Sequence, residues 1–272
     1  MSSIHKTNND KIKFRNNIED LNIHKKIKNY ENKCRLLGID IPKIEVVTDG
    51  KGKMTVELKH CDERVKNVII PPFVDGIGRN AFIDCKELEN IIIPNGIQYI
   101  GECAFMRCRK LKNISLSSGV KIIDEGAFSF CDSLEYIEIP GTVKIIGIRA
   151  FDNCKGLLSV IINEGVEIIE IGAFSSCHKL KNVNISRTVN KIGYSAFYRC
   201  WELEIVHIPG SVKLIDGYAF SQCHKLKDVI LEEGVEVLGQ YAFDYCNEPR
   251  GIRLPKSVRQ VGINTRDKYG KF

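Results

Sequence analysis

Eleven cysteines and six histidines are the residues of this 272-residue chain best equipped for chemistry. Eight of the cysteines, Cys85, Cys108, Cys131, Cys154, Cys177, Cys200, Cys223 and Cys246, stand 23 residues apart. A zinc site in so short a unit needs two ligands a few residues apart, and no Cys-x-x-Cys or Cys-x-x-His pair occurs. Cys177-His178 and Cys223-His224 suggest a nucleophile beside its base, but consecutive residues on a helical turn do not face each other. Cys34, Cys61 and Cys103 fall outside the column and are the candidates for a reactive or bridging thiol, each with a structural role as the simpler reading. No Gly-x-Gly-x-x-Gly, phosphate loop or Gly-x-Ser-x-Gly is present, so no catalytic residue, metal or cofactor is assigned. Basic clusters at Arg109, Lys110 and Lys112, at Lys179 and Lys181, and at Lys225 and Lys227 could follow a phosphate backbone. Glu87, Glu89, Glu135, Glu202 and Glu204 interleave with them, and 40 Lys+Arg against 34 Asp+Glu leave a net charge of only +6. These clusters read as a solvated face, and nucleic acid is not an expected partner.

The cysteine column is one of many, which turns attention from chemistry to frame. Ala-Phe recurs at Ala81-Phe82, Ala104-Phe105, Ala127-Phe128, Ala150-Phe151, Ala173-Phe174, Ala196-Phe197, Ala219-Phe220 and Ala242-Phe243, always 23 residues on. Leu follows each Cys by three positions from Leu88 to Leu226, until Pro249 breaks the column. Further aliphatic columns begin at Ile91, Ile93, Ile97 and Ile100. A fixed period of this length without insertions is the signature of a solenoid.

The spacings describe one unit. Ile-x-Ile alternates with period two, as in Tyr136-Ile137-Glu138-Ile139, and predicts a strand with one buried side. A column of small residues (Gly96, Gly119, Thr142, Gly165, Thr188, Ser211, Gly234, Ser257) predicts a crowded turn. A second extended stretch such as Val143–Gly147 leads back, and Ala-Phe-x-x-Cys-x-x-Leu has the apolar spacing of one or two helical turns. After the second stretch Gly101, Asp124, Gly147, Glu170, Gly193, Asp216, Gly239 and Gly262 nearly alternate between glycine and acid, which predicts a shared left-handed turn and growth by 46-residue pairs. Ordering 23 residues costs on the order of 35 kcal/mol at about 1.5 each, which one unit's few inward side chains cannot offset, so the units must stack. Like-for-like stacking makes the cysteine column a ladder of reduced, buried thiols that pack as small hydrophobes, because parallel side chains rarely reach the disulfide dihedral.

The motif L-x-x-I-x-I, a Pro after the strand (Pro94, Pro140, Pro209, Pro255) and Ile-Gly-x-x-Ala-Phe-x-x-Cys-x-x-Leu together resemble the BspA-like (Treponema-type) leucine-rich repeat family over about residues 62–262. The resemblance implies an α/β repeat solenoid: a curved right-handed coil with a parallel sheet on its concave face and short helices or turns elsewhere. It also implies a non-enzymatic module for protein-protein interaction, often an adhesin at the cell surface. The opening residues, Met1 to Asp10, lack the apolar core of a secretory signal and as written place the chain in the cytosol. No apolar run reaches the roughly 18 residues of a membrane span, so no membrane insertion is expected.

Residues 1–61 form the expected N-terminal cap. An amphipathic helical arm runs from Ile18 to Gly38, in a stretch of 40 residues with nine Lys+Arg and five Asp+Glu, and a hairpin with Asp49-Gly50 at its turn follows. Residues 62–262 are the solenoid and 263–272 a polar tail or minimal cap. The outward position between the paired strand aliphatics is the expected partner-binding stripe: Ile92, Ser115, Glu138, Ile161, Asn184, His207, Ile230 and Arg253. A second stripe beside it contains Asn90, Asn113, Tyr136, Ser159, Asn182, Ile205, Asp228 and Gly251, of which Tyr136 joins the candidate site. These positions vary while the core columns do not, and folding does not need their exposed isoleucines. The expected ligand is a protein; a second copy covering the exposed isoleucines would make a homodimer. The alternative is an intracellular scaffold or effector acting through the basic N-terminal helix and its Lys25, Lys26 and Lys28.

Overall fold

The computed structural model describes residues 22–36, 43–48, 54–60, 62–112, 114–246 and 252–263. Cys61, the Asp49-Gly50 turn, Asn113, Asn247, Gly251 and the tail from Asn264 lie outside them. The chain divides into two compact units, Met1–Ile41 and Pro42–Phe272. The first contains a helix over residues 22–36 with Ile23, Ile27 and Cys34 on its less exposed side and Lys25, Lys26 and Lys28 exposed.

The second unit is a parallel solenoid. Each coil contributes a first strand of three or four residues, such as Tyr136–Ile139 or Ser159–Ile162, and a second strand of two, such as Ile145–Ile146 or Ile168–Ile169. The second strands join one continuous sheet of eleven strands, whose N-terminal edge is the hairpin of β1 (Lys43–Thr48) and β2 (Met54–His60). Parallel pairing of Glu57 with Gly76 and Leu58 with Ile77 makes the hairpin part of that sheet. Among the described residues the first strands form three shorter sheets instead. Asn67–Ile69 pairs with Asn90–Ile92, Tyr136–Ile139 with Ser159–Ile162 and that with Asn182–Asn184, and Ile205–Ile208 with Asp228–Leu231. From coil to coil the register is strict, with partners 23 residues apart: Glu138 pairs with Ile161 and Ile161 with Asn184.

The core is the set of rows the sequence columns describe. Phe82 to Phe243 form a stack in which successive ring centroids lie 5.0 to 5.3 Å apart and nearly parallel. The alanine, leucine and inward isoleucine and valine rows are buried around it. The thiols do more than fill space. Cys108 Sγ donates to the carbonyl of Phe82 at 3.1 Å, and the same bond recurs from Cys131 to Phe105, Cys154 to Phe128 and Cys177 to Phe151. Burial pushes the Cys131, Cys154 and Cys177 thiols well above the ordinary range, so they remain protonated donors.

The Ala-Phe segment is not helical. Ala150, Asp152 and Cys154 donate their amides three residues back, to Gly147, Arg149 and Phe151. The residues between, Arg149, Phe151 and Asn153, donate to Ile171, Ala173 and Ser175 of the next coil. A helix would turn every amide onto its own axis and leave neighbouring coils unbonded here. The alternation is made by two left-handed residues per coil, as at Arg149 (φ 52°) and Asn153 (φ 58°). Among the described residues, fourteen non-glycine residues adopt this conformation, each at a cost on the order of 1 kcal/mol that the inter-coil bonds offset.

The glycine-acid column is not the left-handed position expected of it; that conformation falls two residues later, at Cys103, Gly126, Arg149, Gly172, Ser195, Tyr218 and Tyr241. Its glycines answer to space instead. A side chain at Gly147 would overlap Ile123 O, and one at Gly239 the backbone at Gly217 and Asp216. Where the column is acidic, Asp124 and Asp216 accept the following amide at 2.8 and 2.7 Å.

Candidate functional site

Where the small-residue column carries Thr142, Thr188 or Ser257, its hydroxyl ties the turn after the first strand to the coil before it. Thr188 Oγ1 donates to Val166 O at 2.8 Å and Ser257 Oγ to Val235 O at 2.7 Å, each one coil back. Thr188 Oγ1 also accepts the amide of Gly165 at 2.8 Å. With backbone groups satisfied in this way, the outward strand residues can vary without affecting the frame.

All eight stripe residues are exposed or half-buried, with Ile92 at 60% and Ile230 at 52%. Glu138, Ile161 and Asn184 form one registered row, and His207 and Ile230 another. Ile92 pairs with Ile69 in a separate sheet, while Ser115 and Arg253 lie outside any strand. Ile205, in the second stripe, is 50% exposed.

Two adjoining hollows lie where the first strands end. One of about 310 Å³ is lined by Ser115, Tyr136, Glu138 and Asn163 among others, and one of about 350 Å³ by Asn163, Asn184, Arg187, His207 and Glu232. Asn163 is common to both. Its Nδ2 donates to Glu138 Oε1 at 2.8 Å, and Tyr136 OH donates to Glu138 Oε2 at 3.2 Å. Partial burial and the Glu138 carboxylate raise the Tyr136 phenol above its ordinary value. In the second hollow Glu232 Oε1 meets Arg187 Nη2 at 2.8 Å and His207 Nε2 at 2.9 Å, while Oε2 accepts the Gly210 amide at 3.1 Å. That amide, then Arg187 and His207, hold the Glu232 carboxyl below its usual range against the opposing effect of desolvation. This face thus combines exposed aliphatic residues on the strands with hydrogen-bonded donors and acceptors at their ends.

Asn163, Arg187 and Glu232 were not among the residues expected here. The available signal was departure from the proline column: where Pro94, Pro140, Pro209 and Pro255 recur, Ser117, Asn163, Ser186 and Glu232 stand instead, and Arg187 follows Ser186.

The thiol-imidazole pairs do not approach each other. Cys177 and Cys223 point inward to Phe151 O and Phe197 O, while His178 lies flat on Trp201, ring centroids 3.7 Å apart. Burial, then Lys155 and Arg199, lower the His178 pKa. Burial and flanking Glu102 and Glu125 raise the Cys103 thiol, which argues against a reactive thiolate there; Cys34 is buried. Two of the basic clusters have members paired at the repeat distance, Lys110 with Glu87, Lys225 with Glu202 and Lys227 with Glu204, each at 2.7 Å. Among the described residues, no three His, Cys, Asp or Glu gather closely enough to hold a metal ion, and no helix is long and apolar enough to cross a membrane.

The family model for the BspA type leucine rich repeat region matches residues 58–170 and 144–265 in six copies. The chain is similar to the crystal structure of a leucine-rich repeat protein from Bacteroides ovatus, with 30% identity, a TM-score of 0.70, and coverage of 82% of this chain and 60% of that one. It is similar in fold to a leucine-rich repeat protein from Eubacterium ventriosum (21% identity, TM-score 0.59, covering 72% and 62%) and to one from T. pallidum (24%, 0.53, covering 74% and 85%). The chain therefore spans about three fifths of the length of the first two relatives. No curated protein sequence matches it.

Proposed function

We propose that this chain, which belongs to the BspA-type leucine-rich repeat family, binds a protein ligand through the exposed face of its first strands, serves adhesion and carries out no catalysis of its own. Leucine-rich repeats are as a family protein-interaction modules, and stacked repeats present extended binding surfaces. The observation that carries the reading is the contrast between invariant and variable columns. Core rows of one residue type hold Ile92, Glu138, Ile161, His207 and Ile230 outward in fixed register. In this reading residues 1–61 serve as cap, 62–262 as the recognition solenoid and 263–272 as its tail.

A second reading rests on exposed Lys25, Lys26 and Lys28 of the helix over residues 22–36, which would serve an intracellular scaffold or effector. The test is binding of the chain to immobilised extracellular-matrix proteins, with and without residues 1–40. Retained binding after the deletion supports the strand face; loss of binding assigns recognition to the helix. No binding by the intact chain removes the adhesive role.

A further inference from the structure

We propose that the continuous second-strand sheet is the surface on which two copies of this chain associate, face to face about a two-fold axis running along the strands between Ile145–Ile146 and Ile168–Ile169. The outward row of this sheet is apolar across consecutive coils. Ile122 is 54% and Ile145 46% exposed, Ile168 is half-buried, and Ile145 pairs in register with Ile168. Three residues further along, where each coil turns, Ile148, Ile171 and Tyr194 form a second exposed row. Folding does not require these side chains, because the same sheet carries Lys191 and Gln260 at equivalent outward positions. Contiguous exposed apolar rows of this kind mark contact surfaces.

A second copy is the occupant that the pattern itself describes. A two-fold between the two central strands exchanges their coils, so it sets Ile145 against Ile168 of the second copy and Ile148 against Ile171. It also sets Lys144 against Glu167 of the second copy. Within one chain these two residues already form an exposed ion pair at 2.9 Å, so the axis assembles four charges of alternating sign. One coil further out on each side, Ile122 meets Lys191, whose ammonium is drawn aside toward Glu170 at 3.7 Å and whose aliphatic stem can cover the isoleucine. Six coils at about 4.8 Å each, and four residues at about 3.3 Å each, give a strip on the order of 400 Å² per copy. That places the pair at the weak, reversible end of specific interfaces.

Sedimentation of the intact chain over about 1 to 100 µM tests the proposal in the range where such an interface should populate both states. The expected mass rises from 30.8 kDa toward twice that value. Ile145→Glu should weaken association at least tenfold with an unchanged melting curve. Lys144→Glu should weaken it as well, and adding Glu167→Lys should restore it, a rescue that decides the matter even if Ile145→Glu fails to fold. A chain that stays at 30.8 kDa throughout overturns the proposal. So does a dimer that these substitutions leave intact, or one that Ile230→Asp on the other face dissociates.

Discussion

Phe174→Ala should lower stability by about 3 to 5 kcal/mol, the largest loss expected from truncating a single side chain in this protein. Phe174 is fully buried, and its ring lies 5.2 Å from that of Phe151 and 5.3 Å from that of Phe197. Its removal exposes a face of each neighbour to a cavity that rigid, hydrogen-bonded coils above and below cannot collapse to fill. In a stack where each coil contacts only its neighbours, the loss depends on position. Among the described residues Phe243 has one stacked ring neighbour, Phe220, so Phe243→Ala should cost less. Urea unfolding of both variants checks this, and equal losses would contradict nearest-neighbour coupling along the stack.

Gly141→Val should cost about 4 kcal/mol or more, at a position that the column of small residues does not include. A Cβ on Gly141 would overlap the carbonyl oxygen of Glu164 in the next coil, which is backbone and cannot step aside. The facing Gly165 adopts φ +113°, open only to glycine, and its own Cβ would overlap Gly141 O. The arrangement recurs at Gly210 and Gly234, where φ is +116°. Gly126 has only the Cys103 sulfur, at 3.3 Å, within close reach of an added Cβ, so Gly126→Ala meets a left-handed backbone but no wall. Thermal melting of the two variants should separate them clearly, with Gly141→Val the more damaged; similar melting would remove the close approach as the cause.

The core was legible because stacking distance in space equals repeat distance in sequence. Each column, Phe82 to Phe243 or Cys85 to Cys246, is a row of the folded molecule. What spacing cannot carry is the direction in which an amide points. The Ala-Phe segment has helical apolar spacing, yet Arg149 and Asn153 adopt left-handed backbone, and nothing in their residue types announces it. The choice between sheets was hidden for a similar reason. First strands are longer in sequence, but the two-residue second strands form the continuous ladder, because their amides bond from coil to coil without interruption. The outward placement of the stripe residues followed from the period-two alternation of the first strands, and their proposed role in binding from their variability. Arg187 and Glu232 were missed because they lie beyond the strand, and their meeting with His207 depends on how two turns pack. The outward row of Ile122, Ile145 and Ile168 was hidden inside the aliphatic runs Ile122-Ile123, Ile145-Ile146 and Ile168-Ile169, in which only the second member is buried.

Recognition through the first-strand face is tested most directly by measuring the affinity of Ile161→Asp, His207→Asp and Ile230→Asp for a matrix protein that the intact chain binds, with melting curves in parallel. All three side chains project from strands whose inward residues hold the frame, so folding should be preserved. Ile161→Asp puts a carboxylate between Glu138 and Asn184, and His207→Asp puts one beside Glu232. The account predicts a loss of about tenfold or more for at least two of the three, as for residues near the centre of an interface. Unaltered affinity in all three, with the fold intact, would contradict it.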